Sequence, residues 1–185
     1  QIRDSTAFSN NGTPAGAITN NYSGVCGTAV LIGSNAYYNC GNKNILNIQD
    51  NSWTIDFWIK TTETTLGDYK AAITKGGGIG GSWNILVAPG GDKLYLQMKN
   101  TTNKSFDFSG KAFKINSGEW THMVLSCLRS NTNMTVHTYS NAAYLGSQTL
   151  AVDDYFSNSG NFTIGLNLLG AVALDEIRVK TNSTP

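Results

Sequence analysis

The segment SWTIDFWIKTTE, Ser52 to Glu63, puts Trp53, Ile55, Phe57 and Ile59 on one parity and Thr54, Asp56, Trp58 and Lys60 on the other. Side chains of a strand alternate between faces, so this pattern specifies a strand with one apolar face turned to a core. Lys70 to Lys75 continues the pattern. Trp83 to Ala88 and Lys93 to Lys99 flank Pro89-Gly90-Gly91-Asp92, which reads as a hairpin loop. Phe113 to Ile115, Trp120 to Leu128, Met134 to Tyr139, Phe162 to Gly165 and Ala171 to Val179 add further strands. No segment sustains a 3.6 period with caps. Many short strands at regular turn spacing predict an all-β sandwich or barrel.

At 185 residues the chain can bury one sizeable core, and residues 1–185 are expected to form a single domain. Only 14% of residues are charged, against roughly 25% in an average globular protein. The surface is therefore covered mainly by Asn, Ser, Thr and Gly, as suits a protein with many turns. A net charge of +1 without a Lys/Arg cluster leaves no electrostatic footprint for nucleic acid or an anionic membrane. The longest apolar stretch, Phe162 to Leu174, contains Asn167 and two glycines and falls short of the ~20 residues of a membrane helix, so no membrane insertion is expected. Gln1 opens the chain without a Met or a leader, which fits a processed secreted chain or a piece of a longer protein.

The opening stretch, DSTAFSNNGTPAGAITNN, has no period and reads as an irregular lead-in with one short strand. Ala29 to Ile32 and Tyr37 to Cys40 are expected to form a hairpin around Gly33-Ser34-Asn35-Ala36, with Cys40 opposite Ala29. Cys26 then lies about 10 Å farther along the strand. A Cys26–Cys40 disulfide needs Cα atoms within roughly 7 Å, so it requires the chain to fold back at Gly24 or Gly27. The three cysteines show no CxxC spacing and point to no zinc site. Cys127 shares its parity with Met123 and Leu125 and reads as a small core residue.

Gly76, Gly78 and Gly81 satisfy GxGxxG, but the strand-like Trp83 to Val87 follows where a dinucleotide site needs a helix. A retaining glycosidase needs two carboxyl groups about 5 Å apart, hence acidic residues at i and i+2 or i+4 on one strand face. Asp56 has Thr54, Trp58 and Lys60 at those positions, and Asp153-Asp154 and Asp175-Glu176 are adjacent pairs on opposite faces. His122 and His137 lack a Ser, Cys or second His at a meaningful spacing and read as packed or surface histidines.

Aromatics off the core face are the more suggestive feature. Trp58 shares its face with Lys60, and Tyr95 with Lys93, Gln97 and Lys99, while Tyr69, Tyr144 and Tyr155 fall in loop-like stretches. Sugars stack on exposed rings and hydrogen-bond to Asn, Asp and backbone groups, which makes Tyr95, Tyr69 and Tyr144 candidate ligand contacts. Sandwiches also cover the outside of a sheet with aromatics, and that structural alternative stays open. Sequons begin at Asn11, Asn21, Asn100, Asn103, Asn133, Asn161 and Asn182, in keeping with an exposed protein.

Several segments in order resemble the laminin-G-like branch of the concanavalin A-like lectin/glucanase superfamily. DSTAFSNNGTPAGA is similar to its lead-in, GTAVLIGSNAYYNCGN to its Gly-x-Ala hairpin, and SWTIDFWIKT to its acidic-Phe-Trp-hydrophobic-Lys strand. NSGEWTHMVLS is similar to its Gly-x-Trp-x-His strand, and FTIG with ALDEIRV to its closing signature. The later hairpin, TYSNAAYLG, departs from the usual Tyr-x-Asn-Gly turn. The resemblance implies a two-sheet antiparallel jelly roll. Glucanases of the superfamily carry Glu-x-Asp-x-x-Glu on the strand corresponding to Ser52 to Glu63, and Thr54 stands where the first Glu would be, so this is a core strand. The resemblance also implies a structural calcium, with Asp4 and Asp175 as the positions carried over.

The function expected is a non-enzymatic carbohydrate-binding or adhesion module whose partner is a glycan or surface polysaccharide, located outside the cell on a cell or virion surface. A structural or decoration domain of a virion, tail fibre or surface filament, contacting neighbouring chains of the assembly, comes second. A glycoside hydrolase comes third.

Overall fold

The computed structural model describes residues 5, 10–33, 35–43, 46, 48, 51–61, 68–76, 83–89, 93–98, 113–151, 160–166 and 172–182. These form β1 (Thr13–Ala15), β2 (Ile18–Ser23), β3 (Thr28–Ile32), β4 (Tyr37–Asn39), β5 (Ser52–Thr61), β6 (Lys70–Lys75) and β7 (Trp83–Val87). They continue with β8 (Lys93–Met98), β9 (Phe113–Lys114), β10 (Thr121–Arg129), β11 (Asn133–Ser140), β12 (Ala143–Ala151), β13 (Phe162–Ile164) and β14 (Val172–Asn182). Sheet A runs β1-β4-β13-β6-β7-β8-β9 and sheet B runs β12-β11-β10-β5-β14-β3-β2, seven described strands each. Every pairing among them is antiparallel. The all-β fold expected from the alternation is observed, in the two-sheet jelly-roll-like sandwich that the resemblance implies.

The core lies between the sheets. From sheet B, Trp53, Ile55, Phe57 and Ile59 turn inward and are buried, as their parity requires, with Met123, Leu125 and Cys127 of β10 beside them. From sheet A, Tyr38, Ile73, Ile85 and Leu96 meet them. Cys127 is a core residue, and burial pushes its thiol up to about 12. Lys75 sits on the same parity of β6 as Ile73, with Nζ donating to Asn42 Oδ1 and to the Gly160 carbonyl at 2.6 Å. Burial holds its ammonium below the usual lysine range.

Three expectations are corrected. Ala29 to Ile32 and Tyr37 to Cys40 do not pair: β3 lies in sheet B beside β14 and β2, and β4 lies in sheet A beside β1 and β13. The residues between them carry the chain across the sandwich, so Ile32 and Tyr38 bury themselves from opposite sheets. The register that placed Cys40 opposite Ala29 therefore does not exist, and no disulfide joins exposed Cys26 to buried Cys40. The lead-in supplies two strands, β1 and β2, rather than one.

The third correction is β12, a nine-residue strand where a loop was read. It follows a tight turn in which Asn141 and Ala142 both have positive φ, 47° and 66°. That is the pattern of a turn matched to strand twist, ordinarily signalled by Asn-Gly rather than Asn-Ala. Asn141 also ties the turn to β10: its N–H donates to the His122 carbonyl and its Oδ1 accepts the His122 N–H, each at 2.9 Å.

The two outward faces differ. In sheet A, β6 and β7 are buried on both sides, including outward Thr74 and Asn84, whose side chains hydrogen-bond to each other. In sheet B the outward residues of β5, β10 and β11 are mostly half-buried, and Leu128 and Tyr144 are 59% and 55% exposed. The outward face of sheet B is therefore the more accessible of the two, most of all toward its β12 edge.

Candidate functional site

Register builds the outward face of sheet B in rows. One row runs Tyr144, Tyr139, Val124, Asp56, Arg178 across β12, β11, β10, β5 and β14. The next, about 7 Å along, two residues on β11, β10, β5 and β14 and three on the bulged β12, runs Ser147, His137, Ser126, Thr54, Lys180. A third places Thr149 beside Thr135 and Leu128, and the two threonine hydroxyls are 2.8 Å apart. Aromatic rings thus stand directly beside rows of hydroxyl groups.

The rings converge at the β11–β12 side. Tyr144 lies 5.4 Å from Tyr139 and 6.2 Å from His137, ring centre to ring centre. A half-exposed tyrosine offers an apolar ring face together with a polar hydroxyl, and Tyr144 is the most exposed aromatic among the described residues. Its neighbours Ser147 and Thr149 are also exposed. Sequence reading missed this cluster because it missed β12. The alternation there is broken by Gly146 and by a bulge at Leu145, which shifts the register between Thr138 and Tyr139.

Toward β14 the face becomes an ion-pair cluster. Asp56 is 7% exposed, and its Oδ1 lies 2.7 Å from Arg178 Nε and 2.5 Å from Nη2. His122 Nε2 is 3.6 Å from the same oxygen, and its ring stacks on Trp58 at 4.9 Å. The guanidinium compensates the burial of the carboxylate. The outward neighbours of Asp56 are Thr54 and Trp58 along the strand and Val124 and Arg178 across it, so no second carboxylate faces it among these residues. Trp58 lies on this outer surface, as its parity implied, and so do both histidines, as packed surface residues.

The closing ALDEIRV stretch owes its pattern to a bulge. Asp175 pairs with Trp58 and Arg178 with Asp56, so β14 carries one residue more than β5, and Glu176 takes φ 48° there. The bulge frees Asp175 to reach the β2–β3 turn, where Oδ2 accepts the N–H of Val25 at 2.9 Å and of Cys26 at 3.3 Å. Its Oδ1 accepts the Glu176 N–H at 3.0 Å. Gly24 comes so close that a Cβ there would lie 2.5 Å from Oδ2. Calcium takes six to eight oxygen ligands, carboxylates among them. A carboxylate facing three amide hydrogens suits a cation poorly, and the described residues gather no group of three His, Cys, Asp or Glu. Asp4 lies outside the described residues.

Tyr69 and Tyr95, the other two sequence candidates, do meet. Their rings lie edge to face at 5.3 Å, with Tyr69 38% exposed. They sit on the sheet A side, away from Tyr144, so the three candidates form two clusters on different sheets. Tyr155 lies outside the described residues.

Residues 32–182 match the Laminin_G_3 family of the Concanavalin A-like lectin/glucanases superfamily. The chain belongs to this superfamily. Solved structures agree on the fold. The binding domain of Paraclostridial Mosquitocidal Protein 1 superposes with a TM-score of 0.73 at 15% identity, covering 100% of this chain and 47% of that one. The binding domain of Botulinum Neurotoxin DC in complex with SialylT gives 0.66 at 15% identity, covering 97% and 43%. The same domain in complex with rat synaptotagmin II gives 0.61 at 15% identity, covering 92% and 43%. The superfamily member described here thus spans less than half the length of each of these chains. A comparison with curated proteins finds no match.

Proposed function

We propose that this jelly roll is a non-enzymatic carbohydrate-binding module that holds a glycan or surface polysaccharide on the outward face of sheet B, at Tyr144 and Tyr139 and the hydroxyl rows beside them. The observation that supports it is the outward face itself, where the exposed Tyr144 ring stands one row from Ser147 and two rows from the paired hydroxyls of Thr149 and Thr135. Similar solved domains are named binding domains, which accords with this reading. Asp56, buried on this face, is held by Arg178, and its neighbours Thr54, Trp58, Val124 and Arg178 offer no second carboxyl group of the kind glycoside cleavage requires. The module then acts outside the cell, at a cell or virion surface.

A glycan array probed with the purified chain tests this. Retention of a defined set of oligosaccharides, with no reducing sugar released from them, is expected. A blank array would overturn the reading and leave the structural or decoration role. Release of sugar that Asp56→Asn abolishes while the fold persists would make the chain a hydrolase.

Calcium shared by Asp4 and Asp175 would bind only the folded chain and raise its Tm. Because amide hydrogens already face the Asp175 carboxylate, we expect superimposable melts in millimolar calcium and in EDTA. A higher Tm in calcium would instead show that the ion binds.

A further inference from the structure

We propose that the β12 edge of sheet B pairs with the β12 edge of a second copy of this chain, giving a two-fold dimer in which the two sheets run on as one. A sheet edge presents a row of N–H and C=O groups ready to accept another strand, and proteins blunt such edges with short strands, prolines, charges or bulges. Among the described strands there are four edges. The β1 edge has three residues, one of them Pro14, and the β9 edge has two. The β2 edge has six, with its register broken between Thr19 and Tyr22.

The β12 edge is different. It has nine residues, Ala143–Ala151, with no proline and no charged side chain. Its bulge sits at one end, leaving Gly146 to Ala151 in unbroken register with Thr138 to Asn133. Ala143, Tyr144, Ser147, Thr149 and Ala151 are exposed along it.

A second copy is the occupant that fits. A two-fold axis brings a strand against itself in antiparallel sense, so each residue meets a residue of the same strand. With no charge anywhere on β12, no register opposes like charges. Ser147 is the middle residue of the nine, so a centred pairing sets it against its own copy. Pairing also continues the outward face, placing a second Tyr144 on the same surface as the first and giving a displayed glycan two sites to bridge. Strand pairing alone covers less than the roughly 1,600 Å² of a standard interface, so the dimer is concentration-dependent. The inference goes beyond the binding reading and is tested without a ligand.

Sedimentation velocity of the whole chain, from low micromolar to millimolar, should show the mass rising from one chain to two. Ser147→Lys and Ser147→Glu should each stay monomeric with melts close to the parent, and an equimolar mixture of the two should regain the dimer. A parent chain that stays monomeric throughout would overturn the proposal and leave the edge to a different protein's strand. So would a dimer that survives Ser147→Lys, or a mixture that stays monomeric. Because sedimentation reads mass without any ligand, and Ser147 itself belongs to the proposed carbohydrate face, this result is independent of the fate of that site.

Discussion

Phe57→Ala is expected to remove about 3 to 5 kcal/mol of stability, enough to unfold a domain whose total is on the order of 5 to 15 kcal/mol. Phe57 is fully buried at the middle of β5, which pairs with β10 on one side and β14 on the other, so no edge of the sheet can collapse into the void. Trp58, the next residue, faces the other way. Its truncation loses a stack on His122 and some half-buried area, and should cost about 1 kcal/mol. Denaturant titration of the two variants side by side measures the contrast. A cost below about 1 kcal/mol for Phe57→Ala would mean that β5 does not sit in the register described.

Gly165→Ala should be nearly as damaging, although it adds only a methyl group. Gly165 follows β13 with φ 90°, and its N–H donates to the Ala72 carbonyl at 2.7 Å. A Cβ there would lie 2.4 Å from Ile32 Cδ1 and 2.6 Å from Cγ2. Ile32 is fully buried and packed from the opposite sheet, so it cannot recede. Overpacking costs about 1 to 3 kcal/mol, and a left-handed backbone about 1 to 2 kcal/mol for a residue with a Cβ. A total of about 2 to 5 kcal/mol is expected in the same titration. Ile32→Val deletes the nearest of the clashing atoms, so the double variant should recover part of the loss. Equal stability of Gly165→Ala and the parent would show that the sheets do not approach this closely here.

Residues whose role is local were legible in the sequence. The alternation from Trp53 to Lys60 states which side faces the core, because a strand's period of two acts residue by residue. Partners set by register were not. The alternation places Asp56 outside the core, but nothing local shows that Arg178, 122 residues later, holds it. The Gly33 to Ala36 linker reads alike whether the chain returns to its own sheet or crosses to the other. Which occurs depends on β13 accepting β4, a contact made more than a hundred residues downstream. Ala142 hid β12 for a different reason: its φ of 66° is imposed on a residue that does not advertise it. The candidate tyrosines were therefore found as exposed aromatics, while their division between two sheets, and the Tyr139 and His137 rings beside Tyr144, emerged only with the register.

The central claim is that ligand meets the outward face of sheet B at Tyr144. Isothermal titration of the oligosaccharide retained most strongly on the array, against the parent chain, Tyr144→Ala and Tyr95→Ala, measures it directly. Tyr144 is exposed on an edge strand, so its truncation leaves the fold intact, which circular dichroism verifies. Tyr144→Ala should weaken binding about tenfold or more, a loss of about 1.4 kcal/mol, while Tyr95→Ala binds like the parent. Parent-like affinity in Tyr144→Ala, with the loss appearing in Tyr95→Ala instead, would contradict it and move the site to sheet A.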